Sequence, residues 1–301
     1  MIRGPDARSD KFLTDLSEIT RRLERAQNQI TSGKRINRVS DSPDDISRLL
    51  QMRSELSATE QIRFNLGRVQ TEVDGAEQAL THAINLLERV AVVGAQGGSS
   101  ITSETDRGIL GFEVATLLEQ LVNISATVLE GRYIFSGDND GVAPYDLDLA
   151  LDDPFSPYQG TSSTRQVQHP SGRRFSVATT AEDIFDNSDP GKSVFRSVNQ
   201  IRLALRDGNV QSVLDAVADV RTSLTHLNER LAFYGTLQNQ VREGVEYANS
   251  QELRLNEQIS VLQDADLTAA ILEFNESRFQ QESALRVEGN RSRLSLFDFL
   301  R

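Results

Sequence analysis

Few side chains in this sequence are of kinds that do chemistry, and their spacing suits it poorly. The histidines are His82, His169 and His226, whereas a zinc centre wants three or four convergent His, Cys or carboxylate ligands. His82 lies between Leu80 and Ala83, and His226 between Leu224 and Leu227. Each falls off an apolar seam, so both are expected on a solvated helix surface. His169 precedes Pro170 in a predicted turn and has no partner nearby in sequence. Cysteine is absent, which removes disulfides, thiolate metal sites, iron–sulfur clusters and cysteine nucleophiles together. The carboxylate pairs are the remaining argument for an enzyme. Asp44-Asp45 suits the electropositive start of a helix better than general acid–base work. Asp152-Asp153 sits in a proline-rich stretch without the fuller ligand spacing of a calcium loop, and reads as a plain acidic loop. Asp264-Ala265-Asp266 reads as a linker plus a helix cap. Nucleophile-elbow, phosphate-loop and dinucleotide fingerprints are missing, so no catalytic residue, cofactor or metal is expected.

Composition points the same way. The 301 residues carry 32 Lys plus Arg against 44 Asp plus Glu, a net charge of −12. Neutralising phosphates needs a basic surface, so nucleic acid is excluded as the main partner. Trp is absent and aromatics are 6%, too few for a base-stacking platform. The longest apolar stretch, about Val90 to Ala95, is far short of the roughly 20 residues that a bilayer demands. Charges interrupt the first thirty residues every few positions, so no signal-peptide core is expected. The chain is then either cytosolic or exported by a route that ignores such signals.

Prolines show how the elements are arranged. Pro144, Pro154, Pro157, Pro170 and Pro190 crowd the centre, leaving Pro5 and Pro43 elsewhere. Proline breaks helix interiors, so the centre differs in kind from its flanks. From Ser136 to Pro190 there are three basic and ten acidic residues, and from Met1 to Ser40 nine basic and five acidic. The flanks show alternating three- and four-residue apolar steps, the mark of a coiled-coil seam. Phe12, Leu16, Ile19, Leu23, Ala26 and Ile30 form one stripe, stopped by Gly33. Ser40 to Asp45 reads as a helix start, with Pro43 in the first turn. The next stripe keeps one frame from Leu49 to Val90, ending at Gly97-Gly98. Leu110 to Val128 makes a third, closed by Gly131. After a short stripe at Val194, Val198, Ile201 and Leu205, a single frame runs from Val210 to Leu262. As continuous helix it would span about 80 Å, which predicts an elongated molecule.

The two longest stripes should pack antiparallel with the third alongside, bringing the chain ends together. Arg132 to Gly137 alternates and reads as an entry strand, while Arg165–Gln168 and Arg174–Thr179 read as a hairpin. The expected fold is mainly α: an elongated coiled-coil helical bundle formed by the N- and C-terminal parts, with a small β-rich insert. Its expected divisions are a terminal helical domain (1–40 plus 265–301), a long bundle (41–136 plus 191–264) and an outer insert (137–190).

The ends also carry a resemblance. Ile30-Thr31-Ser32-Gly33-Lys34-Arg35-Ile36-Asn37 followed by Ser40-Asp41-Ser42-Pro43 resembles the N-terminal signature of the bacterial flagellin superfamily. Ser42 and Asp44-Asp45 stand where that family more commonly has Asp and Ala-Gly. Asp264-Ala265-Asp266-Leu267 and the helix after it resemble the family's other terminal region. Glu130 to Gly137, Tyr158-Gln159-Gly160, Ala181 to Phe185 and the ending Leu294 to Leu300 resemble one branch, the hook–filament junction proteins.

The resemblance implies a structural adaptor subunit outside the cell, exported through the flagellar type III apparatus with a chaperone. It would form a ring of copies between a hook-side junction protein and the flagellin filament. A filament subunit and an intracellular coiled-coil scaffold are the alternatives. Short isolated helices are marginal in water, and the terminal stripes find little core within one chain. Both ends are therefore expected to be largely disordered in the free subunit and to fold on assembly. The side chains expected to drive assembly are Leu16, Ile19, Leu23 and Ile30 with Ile271, Phe274 and Leu285.

Overall fold

Alternating steps of three and four put two long helices where the sequence expects them. A computed structural model describes residues 7–163 and 165–298; Pro5 and the closing Phe299-Leu300 of the C-terminal motif lie outside them. Among the described residues the α-helices run in the order α1 (Ala7–Ser32), α2 (Pro43–Gly97), α3 (Glu104–Ser125), α4 (Ala181–Phe185), α5 (Val194–Arg206), α6 (Val210–Gln263) and α7 (Leu267–Asp298). Between α3 and α4 lie two small antiparallel sheets, β1 (Val128–Leu129) with β2 (Arg132–Tyr133), and β3 (Gln166–Gln168) with β4 (Arg174–Ser176). The fold is thus a helical bundle with a small β-containing insert.

The chain divides into two compact units, Met1–Ala58 with Ser250–Arg301, and Thr59–Asn249. In the larger unit the predicted frame of α2 is buried at Leu66, Val69, Val73, Ala76, Leu80, Ala83, Leu87 and Val90. Its α6 partner frame is buried at Val213, Val217, Val220, Leu227, Tyr234 and Val241. The two run antiparallel there: Gln238 donates to Asp74 at 2.9 Å, and Gly94 faces Val217 and Ile201 so closely that an added Cβ would lie 2.7 Å from the valine. The polar seam residue Gln238 therefore has a partner on the facing helix. Arg89 ties α2 to α3 through Glu113 at 2.6 Å, and α3 packs on α5.

The insert shares this core. Phe195 of α5 lies against Phe155 and Phe185 in stacked geometry and against Tyr145 edge-on, at centroid distances of 5.0, 5.5 and 5.2 Å. Such contacts add to the large apolar area that each ring buries. The Tyr158 hydroxyl donates to the Phe135 carbonyl at 3.0 Å, and burial pushes its pKa up to about 12. Gly160 is required beside it, since a Cβ would fall 2.2 Å from that hydroxyl and 2.6 Å from the Ser136 carbonyl.

Two elements differ from expectation. The third stripe was read through to Val128, but α3 ends at Ser125 and Val128 is exposed in β1. Arg132 to Gly137 forms strand only over Arg132–Tyr133, because the chain turns at once through Glu130 and Gly131, both at positive φ, and pairs back on β1. Val128 thus continues the helical spacing by coincidence, and Ile134 and Phe135 are buried as loop residues. The predicted hairpin forms, with Gln166 opposite Ser176 and a turn at Pro170–Gly172.

In the smaller unit the linker after α1 is well tied. Gly33, at φ +69°, ends α1, the left-handed position that glycine takes after a helix. Pro43 opens α2, and the Asp45 carboxylate accepts from Ser42 at 2.8 Å and from Arg35 at 3.1 Å. The Ser42 hydrogen bond first, then Arg35, hold Asp45 below the ordinary aspartate value of 3.8. Asp266 caps α7, accepting from the backbone of Thr268 at 2.9 Å and Ala269 at 3.0 Å.

Phe195→Ala should lower stability by about 3–5 kcal/mol, read by urea unfolding; a loss under 1 kcal/mol would contradict the shared core. Asp266→Ala should cost about 1 kcal/mol through the lost cap, seen as a lower unfolding midpoint. The Asp45 carboxyl is depressed in the folded state, so its stabilisation is present above the ordinary aspartate value and fades as pH falls through the lowered one. Thermal unfolding should therefore find Asp45→Asn weaker than the parent at pH 7, with the gap closing in acid.

Candidate functional site in the paired terminal helices

Each candidate of the catalytic kind has a structural role. Asp44-Asp45 opens α2 and Asp266 caps α7. Asp152 is held by Arg206 at 2.8 Å, and its carbonyl accepts from Asn199 at 2.8 Å. His82 is exposed, as expected. His226 is not: α4 covers that face of α6, and the imidazole is buried with Nε2 donating to the Asp183 carbonyl at 2.9 Å. His169 has a local partner after all, since Nδ1 accepts from the Ser171 backbone at 3.1 Å and lies 2.7 Å from its hydroxyl. Among the described residues no three His, Cys, Asp or Glu side chains gather to hold a metal.

The terminal helices are where the surface is unusual. They lie antiparallel, because contacts descend α7 as they ascend α1. Gln281 donates to Thr20 at 3.3 Å, Arg22 donates to Gln280 at 3.0 Å, and the Ala265 backbone donates to Gly33 at 2.9 Å. Arg22 also pairs with Glu273 at 3.8 Å. The adjoining linker runs strand-like beside the end of α6, with Lys34 bridged to Asp264 and the Arg35 backbone donating to the Gln263 carbonyl at 2.6 Å. The antiparallel return of the chain, expected from the two long stripes, thus supplies each terminal helix with a partner.

That cover is incomplete. Ala26, Ala270 and Ser277 are buried, whereas the large side chains Leu16, Ile19, Leu23, Ile30 and Phe274 are only half-buried. Ala270, Phe274, Ser277, Gln281 and Ala284 form the α7 face toward α1, at steps of four and three. Ile271 and Leu285, expected to drive assembly, lie outside that face, 48% and 51% exposed. Alanine and serine occupy most of the inward face.

Leu272, Phe279 and Val287 are 66%, 71% and 67% exposed, on the side of α7 away from α1. Apolar side chains thus lie on several sides of α7, interleaved with the exposed charges of Glu276, Arg278, Glu282 and Arg286. The signal was present in the sequence: 267–287 holds seven Leu, Ile, Phe or Val residues that no single stripe accommodates. Leu13 on α1 is exposed as well. What this arrangement can do chemically is bury apolar area against other protein.

The ends match known proteins. The bacterial flagellin N-terminal helical region matches residues 7–140, and the flagellin C-terminal helical region matches residues 217–300. The flagellin of Halalkalibacterium halodurans is 22% identical over 284 residues, covering 92% of each chain. The flagellar hook-associated protein 3 of Legionella pneumophila has a similar fold, with a TM-score of 0.62 at 15% identity over 70% of this chain and 98% of that one. FlgL of Bacillus cereus superposes with a TM-score of 0.58 at 20% identity, covering 70% and 99%. With the two helical regions of flagellin matched at its two ends, and those ends paired in the structure, the chain belongs to the bacterial flagellin family of flagellar structural proteins.

Proposed function

We propose that this chain is the adaptor subunit that joins a hook-side junction protein to the flagellin filament. The observation that carries the reading is the exposed set Ile271, Leu272, Phe279, Leu285 and Val287 on α7, on a fold spanning nearly the full length of a solved hook-associated protein 3. A subunit with such a helix gains its missing cover from neighbouring copies. In this reading 1–40 and 265–301 pack innermost as a tube, the long helices at 41–136 and 191–264 lie outside it, and 137–190 faces outward. Leu16, Ile19, Leu23, Ile30, Ile271, Phe274 and Leu285 contribute to the assembly interface, with Leu272, Phe279 and Val287 added by the structure. Export runs through the flagellar type III apparatus with a chaperone.

A filament subunit is the second reading, favoured by the flagellin relative that matches across 92% of both chains. The two differ in copy number, since a filament subunit polymerises indefinitely and an adaptor stops after about a layer.

Immuno-electron microscopy of isolated flagella separates them: label should sit at the hook–filament boundary, and label along the filament overturns the adaptor. Leu23→Glu should abolish incorporation while the unit Thr59–Asn249 keeps its helicity by circular dichroism; loss of that helicity would count against the division of labour. Amide exchange on the purified subunit should be faster across α1 and α7 than in the α2 segment 66–90. Equal protection in both would show that the terminal pair needs no neighbours.

A further inference from the structure

The end of α1 and the linker that follows enclose a cleft of about 540 Å³ lined by Arg21, Arg25, Arg35 and Arg38 together with Glu24 and Asp41. Two of its charged groups are already engaged. The Arg35 guanidinium binds Asp45 at 3.1 Å and the Leu262 carbonyl at 2.7 Å. Asp41 accepts from the backbone of Asn37 at 2.9 Å and Arg38 at 2.7 Å. Arg21, Arg25 and Arg38 are exposed and enter no ion pair among the described residues. Three guanidinium groups converging on one recess are suited to planar, bidentate capture of carboxylates.

The complementary charge lies on the same helix. Asp15 and Glu18 lie on the stretch 12–20 of α1, which has no cation, while Asp10 lies between Arg8 and Lys11. The three carboxylates are exposed and enter no ion pair among the described residues. The carboxylates of α7 are by contrast engaged within the chain: Glu273 with Arg22, Glu276 with Gln280 and Glu282 with Arg278. A closed ring or helical stack of identical copies needs two different, mutually complementary patches on each copy, and the polarised α1 supplies both.

We propose that the arginine cleft docks the acidic stretch 12–20 of α1, with Asp15 and Glu18, from a second copy of this chain. This rests on the reading of the chain as a multi-copy subunit. The two patches are centred about six to seven residues apart, so neighbouring α1 helices would be staggered by about 10 Å along their axes. The contact is charge-selective, and it fixes register where the apolar faces of α7 supply adhesion without direction.

The test is quantitative immunoblotting of isolated flagella from cells expressing the full chain, with the culture medium assayed for exported, unassembled subunit. Arg21→Glu with Arg25→Glu should reduce incorporated copies at least about tenfold, as should Asp15→Arg with Glu18→Arg, because like charges then face each other. All four changes in one chain should restore incorporation to within about twofold of the parent. Far-UV circular dichroism of each purified variant should match the parent, since the four positions are exposed. Parental incorporation of the Arg21/Arg25 variant, or a fourfold variant as poor as the double ones, overturns the docking site while leaving the adaptor reading intact. Absence of the parent chain itself from flagella overturns both.

Discussion

A short backbone-to-backbone closure holds the beginning and the end of this chain together. Arg35 reaches the Gln263 carbonyl through its amide, Ala265 reaches Gly33, and the Arg35 side chain adds the Leu262 carbonyl. Ile36, buried at this point, keeps water from the hydrogen bonds. Once these are made, α1 and α7 have to run side by side in opposite directions. The pairing of Arg22 with Glu273 and Gln280, the half-covered leucines of α1 and the outward apolar face of α7 all follow. So does the recess of arginines, because the linker folded back at Gly33 forms one of its walls. The interaction is largely main-chain and so tolerates side-chain change.

Closure of the ends is cheap in specificity and leaves a deficit in burial. The seam between α1 and α7 is built largely from Ala26, Ala270, Ser277 and Ala284, small residues that let the helices approach while contributing little apolar area. The bulky residues Leu272, Phe279 and Val287 point elsewhere. A chain needing only its own stability would place them in the seam. The larger unit does this, stacking Phe195 on Phe155 and Phe185 and filling its helix interface with Leu66, Leu80, Leu87 and Leu227. The contrast is between a unit with a core of large apolar side chains and one whose helix seam is built from small ones.

How much of this was legible in the sequence depended on whether local pattern and tertiary packing agreed. The frames from Leu66 to Val90 and from Val210 to Leu262 were readable because large apolar residues repeat at the coiled-coil period over many turns. Gly33, Pro43 and Asp266 were readable because cap chemistry is local. Val128 misled because its spacing continued that of α3, while Glu130-Gly131 had already reversed the chain. His226 misled for a different reason: its cover comes from α4, more than forty residues away, and spacing along α6 carries no trace of it. In α7 the inward frame leaves little trace because pattern reading weights large apolar residues, and here the inward positions are mostly small. The arginine recess was visible only as a mildly basic N-terminal segment until the linker was seen to fold beside α1.

The hairpin turn at Pro170–Gly172 has a further consequence. Gly172, at φ +87°, has nothing within 4 Å of where a side chain would begin, while the aromatic rings that anchor the insert lie in other segments. Foreign peptide grafted at this tip would meet solvent and leave the packed interior alone, since exposed loop tips of this kind accept added length most readily. The protein thus has a position where added chain would extend into solvent without disturbing the helices beneath.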